Sequence, residues 1–421
     1  MKLHIDIDCF FVSAHRIDNP KYHNIPLAVG GRSNLTIFER KKSKLAMSKI
    51  DGAFTSSILS ANSDKSFEDY FVDDDGRVRG IITTSSYEAR SFGVKTAMSV
   101  AEALRLCPNL TVLPPNYPLY HELSFRFKEL LQKHIPSIEQ FSIDEFFGDV
   151  TGWIKDNDIE KFVIDLKQII FEELGLPVSI GVSHSKWIAK LATNDAKPYG
   201  VKIVPKDGVY EYIKGKSTSS FPGIGKGYQE RLDRYNIKTL DQIKDKKDLF
   251  YSWGKNGVQL YNRICGIDNE KIALAQSRKS IGLGRTFDPL ENRDEIKRRI
   301  TILCRHISFL ALKGKHNPTT YAINIKYQYG DTQKTFINTN RAFSELFLKQ
   351  QMVEMFNKID IHPSHSIVQL NLTLSNFSEN KLFTRNLLEL EDDKKLESLT
   401  NSMQKLRDKF GIDIIKSGGE F

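Results

Sequence analysis

IEQFSIDEFFGDV, residues 138–150, sets two short apolar runs around Ser142-Ile143-Asp144-Glu145. Runs of this length, broken by small polar residues, predict a β-hairpin with its carboxylates at or near the turn. A second stretch belongs beside it. LHIDIDCFFV, residues 3–12, alternates and then becomes apolar, as a buried strand does. Leu3, Ile5 and Ile7 share one face; His4, Asp6 and Asp8 share the other. Four carboxylates, Asp6, Asp8, Asp144 and Glu145, therefore stand in short apolar settings. Such groups are costly to bury unless neutralised. Hard divalent cations such as Mg2+ would neutralise them, since they take oxygen ligands and keep waters and phosphates. Two such ions about 3.5–4 Å apart clamp the attacking and leaving oxygens of a phosphoryl transfer. Pairing with Lys or Arg at strand ends is the other solution, and spacing alone favours it, because pairs of Asp are common.

Outward from the hairpin, strands and helices alternate. Residues 119–134 carry a helical stripe of Leu119, Leu123, Phe127, Leu130 and Leu131, and 159–174 reads as a long helix before the strand PVSIGVS at 177–183. The strand IITTSS (81–86) leads into a helix at YEARSFG that Gly93 ends, and Ser99 opens another with a capping-box pattern. This alternation implies a mixed α+β sheet domain. Residues 221–243 form a separate helical unit. Residues 277–376 mix strand-like runs (YAINIKYQY, VQLNLTLSNF) with helical ones. Residues 389–410 predict an amphipathic helix whose apolar stripe is Leu396, Leu399, Met403, Leu406 and Phe410. The stretch from about 32 to 79, with FERKKSKLAMSK, Thr55-Ser56-Ser57 and FEDYFVDDDGR, reads as an insertion, part helix and part loop.

The composition is that of an ordinary globular protein: 421 residues, 40% hydrophobic and 27% charged, enough for several domains. No apolar run approaches the ~20 residues of a membrane span. Acidic residues arrive too early at the N-terminus for a signal peptide, and four scattered cysteines (Cys9, Cys107, Cys265, Cys304) form no C-x-x-C pair. A reduced, cytosolic compartment is expected. The net charge of +9 is uneven: residues 277–376 hold 15 basic and 8 acidic side chains, whereas residues 1–204 hold 25 and 26. The basic stretch suggests a polyanionic partner, most simply nucleic acid, or a solvated basic surface.

MKLHIDIDCFFVSA, TTSSYEARSFGVKTAMSVAEALRLCP, EQFSIDEFFGDVT, SIGVSHSKWIAKLATNDAKPYGVKIV, FPGIG and RKSIG together, in this order, resemble the Y-family (translesion) DNA polymerases, most closely the bacterial DNA polymerase IV branch. The resemblance covers most of residues 1–30 and 80–376. It implies an α+β, multidomain right-hand polymerase: a ferredoxin-like palm (1–10 and 117–204), small fingers (11–116, with the insertion near 32–79), a helical helix-hairpin-helix thumb (205–276), an α+β little finger (277–376) and a C-terminal tail (377–421).

The resemblance also implies roles. Asp6, Asp144 and Glu145 match the catalytic metal-binding acids, and Ile7 the position whose carbonyl completes a metal shell, with two Mg2+ per site and Mn2+ able to substitute. Asp8 matches no ligand and is read as structural. Phe10 and Phe11 match the nucleotide site, with Phe11 as the steric gate beneath the sugar. Thr84, Tyr87, Arg90 and Lys197 match the triphosphate contacts. Tyr87 and Arg90 equally suit a helix that merely caps and packs.

The thumb hairpin brings Gly223, Gly225 and Lys226 toward a phosphate. Arg278, Lys279 and Arg285, with Arg298 and Arg299 nearby, supply little-finger contacts. The implied partners are primer-template DNA and dNTPs, met by a monomer that copies DNA without proofreading in the bacterial cytosol. A sliding clamp would dock through Leu382 and Phe383, although Glu379 stands where that peptide ordinarily begins with Gln. A nucleotidyl cyclase and a non-catalytic DNA-binding protein are the alternatives. The first needs no basic C-terminal domain, and the second needs no carboxylates.

Overall fold

In the computed structural model the first strand, Lys2–Ile7 (β1), stops short of the expected end at residue 12. Cys9 takes a left-handed conformation (φ 47°), and Phe10–Asp18 (α1) continues as a helix. The run FFV suits either period; burial decides. Phe10 and Ala14, one helical turn apart, join the core of the main sheet, while Val12 packs with Leu27 and Val29 in a second cluster. A continuing strand could not serve both.

The structure describes residues 1–39, 45–47, 58–60, 65–273, 278–378 and 389–421, the short pieces 45–47 and 58–60 by their backbone. These fall into two units. Of the described residues, one unit comprises 1–31 and 65–273; the other comprises 32–39, 45–47, 58–60, 278–378 and 389–421. After α1 the chain runs through Leu27–Gly31 (β2), the pair Leu45–Met47 (β3) and Ile58–Ser60 (β4), Phe67–Phe71 (α2), Ile81–Ser85 (β5), Tyr87–Ser91 (α3), Val100–Leu106 (α4) and Thr111–Leu113 (β6). Tyr117–His134 (α5), Ser137–Gln140 (β7), Glu145–Asp149 (β8), Ile159–Leu174 (α6), Val178–Ser183 (β9), Lys186–Ala196 (α7) and Val201–Val204 (β10) follow.

The first unit is built on a five-stranded sheet in the order β10-β9-β1-β8-β7, in which β1 is antiparallel to both neighbours. The expected hairpin is present: β7 and β8 are antiparallel, with Ser142 to Asp144 at the turn. Leu3, Ile5 and Ile7 pack with Leu123 and Phe127 of α5 and Val163, Leu166 and Ile170 of α6. The opposite face is also covered. A Cβ on Gly181 would lie 2.0 Å from the Ala189 carbonyl oxygen, so α7 rests its backbone directly on β9, which only glycine permits there. This is why His4, on that face, is buried and bonded to Thr193 (2.9 Å).

A smaller three-stranded sheet, β5-β2-β6, carries α3 and α4. The second leg of the expected insertion belongs to its core. Tyr70 and Phe71 of α2 pack with Ala28, Ile82 and Val94, and the Phe71 ring takes the space left free at Gly30 and Gly80. Residues 205–268 are helical, through Val209–Ile213 (α8), Lys226–Arg234 (α9), Lys247–Ser252 (α10) and Lys255–Ile264 (α11).

The second unit contains Ser280–Leu290 (β11), Arg293–Lys313 (α12), Pro318–Tyr327 (β12), Thr332–Asn338 (β13), Glu345–Ile359 (α13), Ile367–Phe377 (β14) and Leu390–Phe410 (α14). Its antiparallel sheet has the order β11-β14-β12-β13, and α12 and α13 share its apolar core. The other face shows small polar rows: Gly284, Asn371, Asn324 and Lys334 lie side by side across the four strands. The first leg of the insertion joins this unit, with Ile37 and Phe38 in its core.

The tail departs from expectation twice. It is part of this unit, and α14 does not bury its apolar stripe. Leu399, Leu406 and Phe410 are exposed, whereas Asp393, Thr400, Gln404 and Arg407 are buried. The reason is ionic. Arg407 pairs with buried Glu345 of α13, and Arg341 pairs with Asp393 (2.5 Å). Paired charges, not leucines, choose the buried face. Among the described residues, no helix is long and apolar enough to cross a membrane.

Candidate active site

The end of β1 and the start of β8 meet at one point. Asp6 is the direct cross-strand partner of Glu145, and the Ile7 amide donates to the Asp144 carbonyl (3.1 Å). These backbone links bring the three expected carboxylates together. Burial pushes the Asp6 carboxyl up to about 7, with Asp144 and Glu145 adding to the rise and Lys197 opposing it. Burial also raises Asp144, against a hydrogen bond from the Ser142 hydroxyl.

Two lysines face this charge. Lys197, just past α7, places its ammonium 2.6 Å from Asp6, and Lys190 of α7 pairs with Glu145 (2.5 Å). Burial works against the Lys197 ammonium, yet Asp6, joined by Asp8 and Glu145, more than offsets it and raises the lysine above its ordinary value. Among the described residues no three His, Cys, Asp or Glu side chains form a ready coordination shell. The donor set still fits hard cations in kind. It consists of carboxylate oxygens only, and their mutual repulsion and burial leave them short of positive charge.

Asp8 has a different employment. It accepts from the Ser179 hydroxyl, the Tyr199 amide (2.7 Å) and the Tyr87 hydroxyl (3.2 Å). The structural reading of Asp8 therefore agrees with its contacts, and it anchors Tyr87. Arg90 stacks its guanidinium 5.0 Å from the Tyr87 ring centroid and donates to the Ser85 carbonyl. Helix α3, which carries both, is capped by Ser86 and held to α1 by Arg16, which reaches both oxygens of Glu88 at 3.0 Å. Thr84 lies on β5, just ahead. Phe10 is buried in the core, while Phe11 is half-buried.

Sequence reasoning passed over Lys190 and His4. A signal existed in Lys186 and Lys190, one turn apart in the otherwise apolar first half of α7, KWIAKLA. Each meets a glutamate: Lys186 pairs with Glu139 at 2.7 Å, both buried.

In the 205–268 helical region, Gly223 has φ +102°, a value suited to glycine, and Gly225 caps α9. Gly223, Gly225 and Lys226 are exposed, and Phe221 and Ile224 anchor the turn from beneath. In the second unit Lys279 is exposed and Arg278 half-buried. Arg285 departs from expectation. It points to the apolar side of its sheet and donates to the carbonyls of Asn34 (2.8 Å) and Gly284 (2.7 Å). Arg298 likewise donates to the Phe38 carbonyl (3.0 Å), and Arg299 lies over the Phe38 and Phe287 rings. These arginines hold the insertion's first leg. Leu382 and Phe383 lie outside the described residues, as do residues 40–44 and Thr55-Ser56-Ser57.

A sheet that gathers acids from two adjacent strands, beside a helix bearing Tyr and Arg, suits metal-assisted phosphoryl transfer, the chemistry of nucleotidyltransferases. Residues 5–194 match the impB/mucB/samB family. DNA polymerase IV of Vibrio parahaemolyticus is 31% identical over 288 residues, covering 68% of this chain and 69% of that one. DNA polymerase IV of Staphylococcus haemolyticus is 27% identical over 384 residues, covering 90% and 95%. Among solved structures, a Y-family polymerase chimera of Dbh and Dpo4 aligns with a TM-score of 0.69 at 22% identity, covering 90% of this chain and 99% of that one. The chain belongs to the Y family of DNA polymerases and is similar to its DNA polymerase IV members.

Proposed function

We propose that this chain extends a primer on a DNA template by transferring dNMP from dNTP to the primer 3′-OH with release of pyrophosphate, as a monomer tolerant of damaged templates. The observation that carries this reading is the cross-strand pairing of Asp6 with Glu145, beside Asp144. On this reading the main sheet with α5 to α7 is the palm, residues 11–116 without the first insertion leg are the fingers, 205–276 are the thumb, and the sheet of the second unit is the DNA-gripping little finger.

Asp6, Asp144 and Glu145, with the Ile7 carbonyl, would hold two Mg2+, or Mn2+ in their place. The ions would supply Lewis-acid charge to the reacting oxygens. Lys197, Arg90, Tyr87 and Thr84 hold the triphosphate and stabilise the charge that develops on the leaving pyrophosphate. Asp8 fixes the Tyr87 hydroxyl from behind. Phe11 stands under the sugar and excludes a 2′-OH. Gly223, Gly225 and Lys226 bind backbone phosphate, as do Arg278 and Lys279, without reading sequence. Leu382 and Phe383 would reach a sliding clamp in a bacterial cytosol.

Primer extension with dNTPs and Mg2+, comparing the wild type with Asp144→Ala, tests this. Template-dependent extension that disappears in the variant is expected. Tight DNA binding by the wild type with no extension would favour a scaffold, and cyclic nucleotide formation without template a cyclase.

A further inference from the structure

Phe11 does not choose its own position. Its ring lies face to face on Tyr120, with centroids 4.1 Å apart and 9° between the planes. Tyr120 comes from α5 and is fully buried. Its hydroxyl is 2.8 Å from Nε2 of His15. His15 stands four residues after Phe11 on α1, so ring and imidazole project from one helical face. Tyr120 is thus held between two side chains of α1. Tyr117, one turn earlier on α5, closes the side, edge-on to Phe11 (83°) and to Tyr120 (79°).

The physical consequence is a loss of freedom for Phe11. A phenylalanine ring moves through two torsions. A parallel ring at van der Waals distance blocks one whole side of that motion, and the close-packed interior behind it cannot yield. The stack alone would still slide if Tyr120 could turn. Its hydroxyl prevents this, because a buried hydroxyl that leaves its partner is left unsatisfied. Burial holds His15 below the ordinary imidazole range, so the ring is neutral, and either tautomer leaves Nε2 and the Tyr120 hydroxyl able to share one hydrogen bond.

We propose that Tyr120 and His15 are positioning residues for sugar selection: Tyr120 fixes the plane and height of the Phe11 ring, and His15 fixes Tyr120. The proposal rests on the reading of Phe11 as the sugar gate. A 2′-OH and a 2′-H differ by one oxygen atom, so a gate ring that sinks by about an ångström admits the ribonucleotide, and misplacement on that scale changes rates by about a hundredfold.

The test is single-nucleotide insertion on a primed DNA template, with kcat/KM measured for a dNTP and the matching rNTP. The variants are Phe11→Ala, Tyr120→Leu, Tyr120→Phe and His15→Leu. Tyr120→Leu removes the supporting ring, and its dNTP/rNTP preference is expected to fall at least about tenfold, chiefly through faster rNTP insertion. Tyr120→Phe keeps the stack and loses the latch, so it should fall between wild type and Tyr120→Leu, with His15→Leu matching it. Tyr120→Phe is nearly isosteric and carries the test if Tyr120→Leu does not fold. If the Tyr120 and His15 variants lose dNTP and rNTP insertion in equal proportion while Phe11→Ala relaxes the preference, these residues are packing only and the inference fails. If Phe11→Ala leaves the preference intact, the gate reading itself fails.

Discussion

Asp6 and Glu145 face each other across β1 and β8, and each has a lysine ammonium on an oxygen. Like charges directly opposed in a sheet destabilise it. The arrangement therefore stores a demand for cations that two single-charge lysines meet in part. Mg2+ or Mn2+ should raise the melting temperature of the wild-type protein, by the equivalent of about 2.7 kcal/mol at a hundred times the dissociation constant. The double variant Asp6→Asn/Asp144→Asn should show no such shift, and EDTA should abolish it in the wild type. Differential scanning calorimetry with and without metal decides this. Equal shifts in both proteins would mean the ions bind elsewhere.

The first insertion leg is a structural part of the second unit. Phe38 is 6% exposed, lies in the core with Ile37, and is flanked by Phe287 and the Arg299 guanidinium. Truncating a buried phenylalanine costs about 3–5 kcal/mol. Phe38→Ala should lower the stability of the second unit by that order, whereas a substitution at exposed Lys21 should leave it unchanged. Urea denaturation followed by a probe in residues 278–378 would report it. Loss of stability in the first unit alone would contradict the assignment.

Much of this was legible in the sequence, and the failures have physical causes. The hairpin over 138–150 and the helix over 159–174 were readable because their periods are unbroken and their ends carry turn residues, Ser142 and Gly175 among them. Asp6, Asp144 and Glu145 were readable as a group only because the surrounding motifs fix a family; their spacing alone left a rival account open. The end of β1 was not readable, since FFV has no period and α1 exists to feed two separate cores. The buried face of α14 was also hidden. A stripe of leucines is a local signal, but the partners that reverse it, Glu345 and Arg341, lie about 50 residues or more away. The contact of Arg285 with the Asn34 carbonyl was hidden for the same reason, since about 250 residues separate them.

That reversal rests on a buried set of charges. Arg305 pairs with Glu420 (2.6 Å) and Asp413 (2.7 Å), and Lys349 pairs with Glu420 (2.9 Å) and Glu345 (2.7 Å). Removing one partner strands the others without water. Glu420→Gln should therefore cost about 3–5 kcal/mol, far more than loss of a surface ion pair. The triple variant Arg305→Met/Lys349→Met/Glu420→Met should recover a good part of that loss, because an apolar set needs no counter-charge. Thermal melts of the two variants and the wild type make the comparison. If the single and triple variants fell equally, the network would be packing and not charge.

Acid should find a different weak point in the same unit. His306 of α12 is buried, with no hydrogen-bond partner on either ring nitrogen. Burial, with Arg305 adding to it, holds the imidazole down to about 3 against an ordinary value of 6.5. The folded state therefore keeps His306 neutral while the unfolded chain takes up a proton below pH 6.5. Stability from this residue is complete above about pH 6.5 and is lost as the pH falls toward 3. Linkage gives a loss of roughly 1 kcal/mol between pH 7.5 and 5.5. Other buried histidines, His4 and His15, act in the same direction, so the informative quantity is the difference from His306→Leu. That variant should lose less stability over the interval, by roughly 1 kcal/mol, while Glu345 and Glu420, both held below the ordinary carboxylate range, begin to contribute only below about pH 4.5. Parallel pH curves for wild type and variant would mean that His306 takes up its proton in the folded state over the same pH range as in the unfolded chain, and that burial does not hold it neutral.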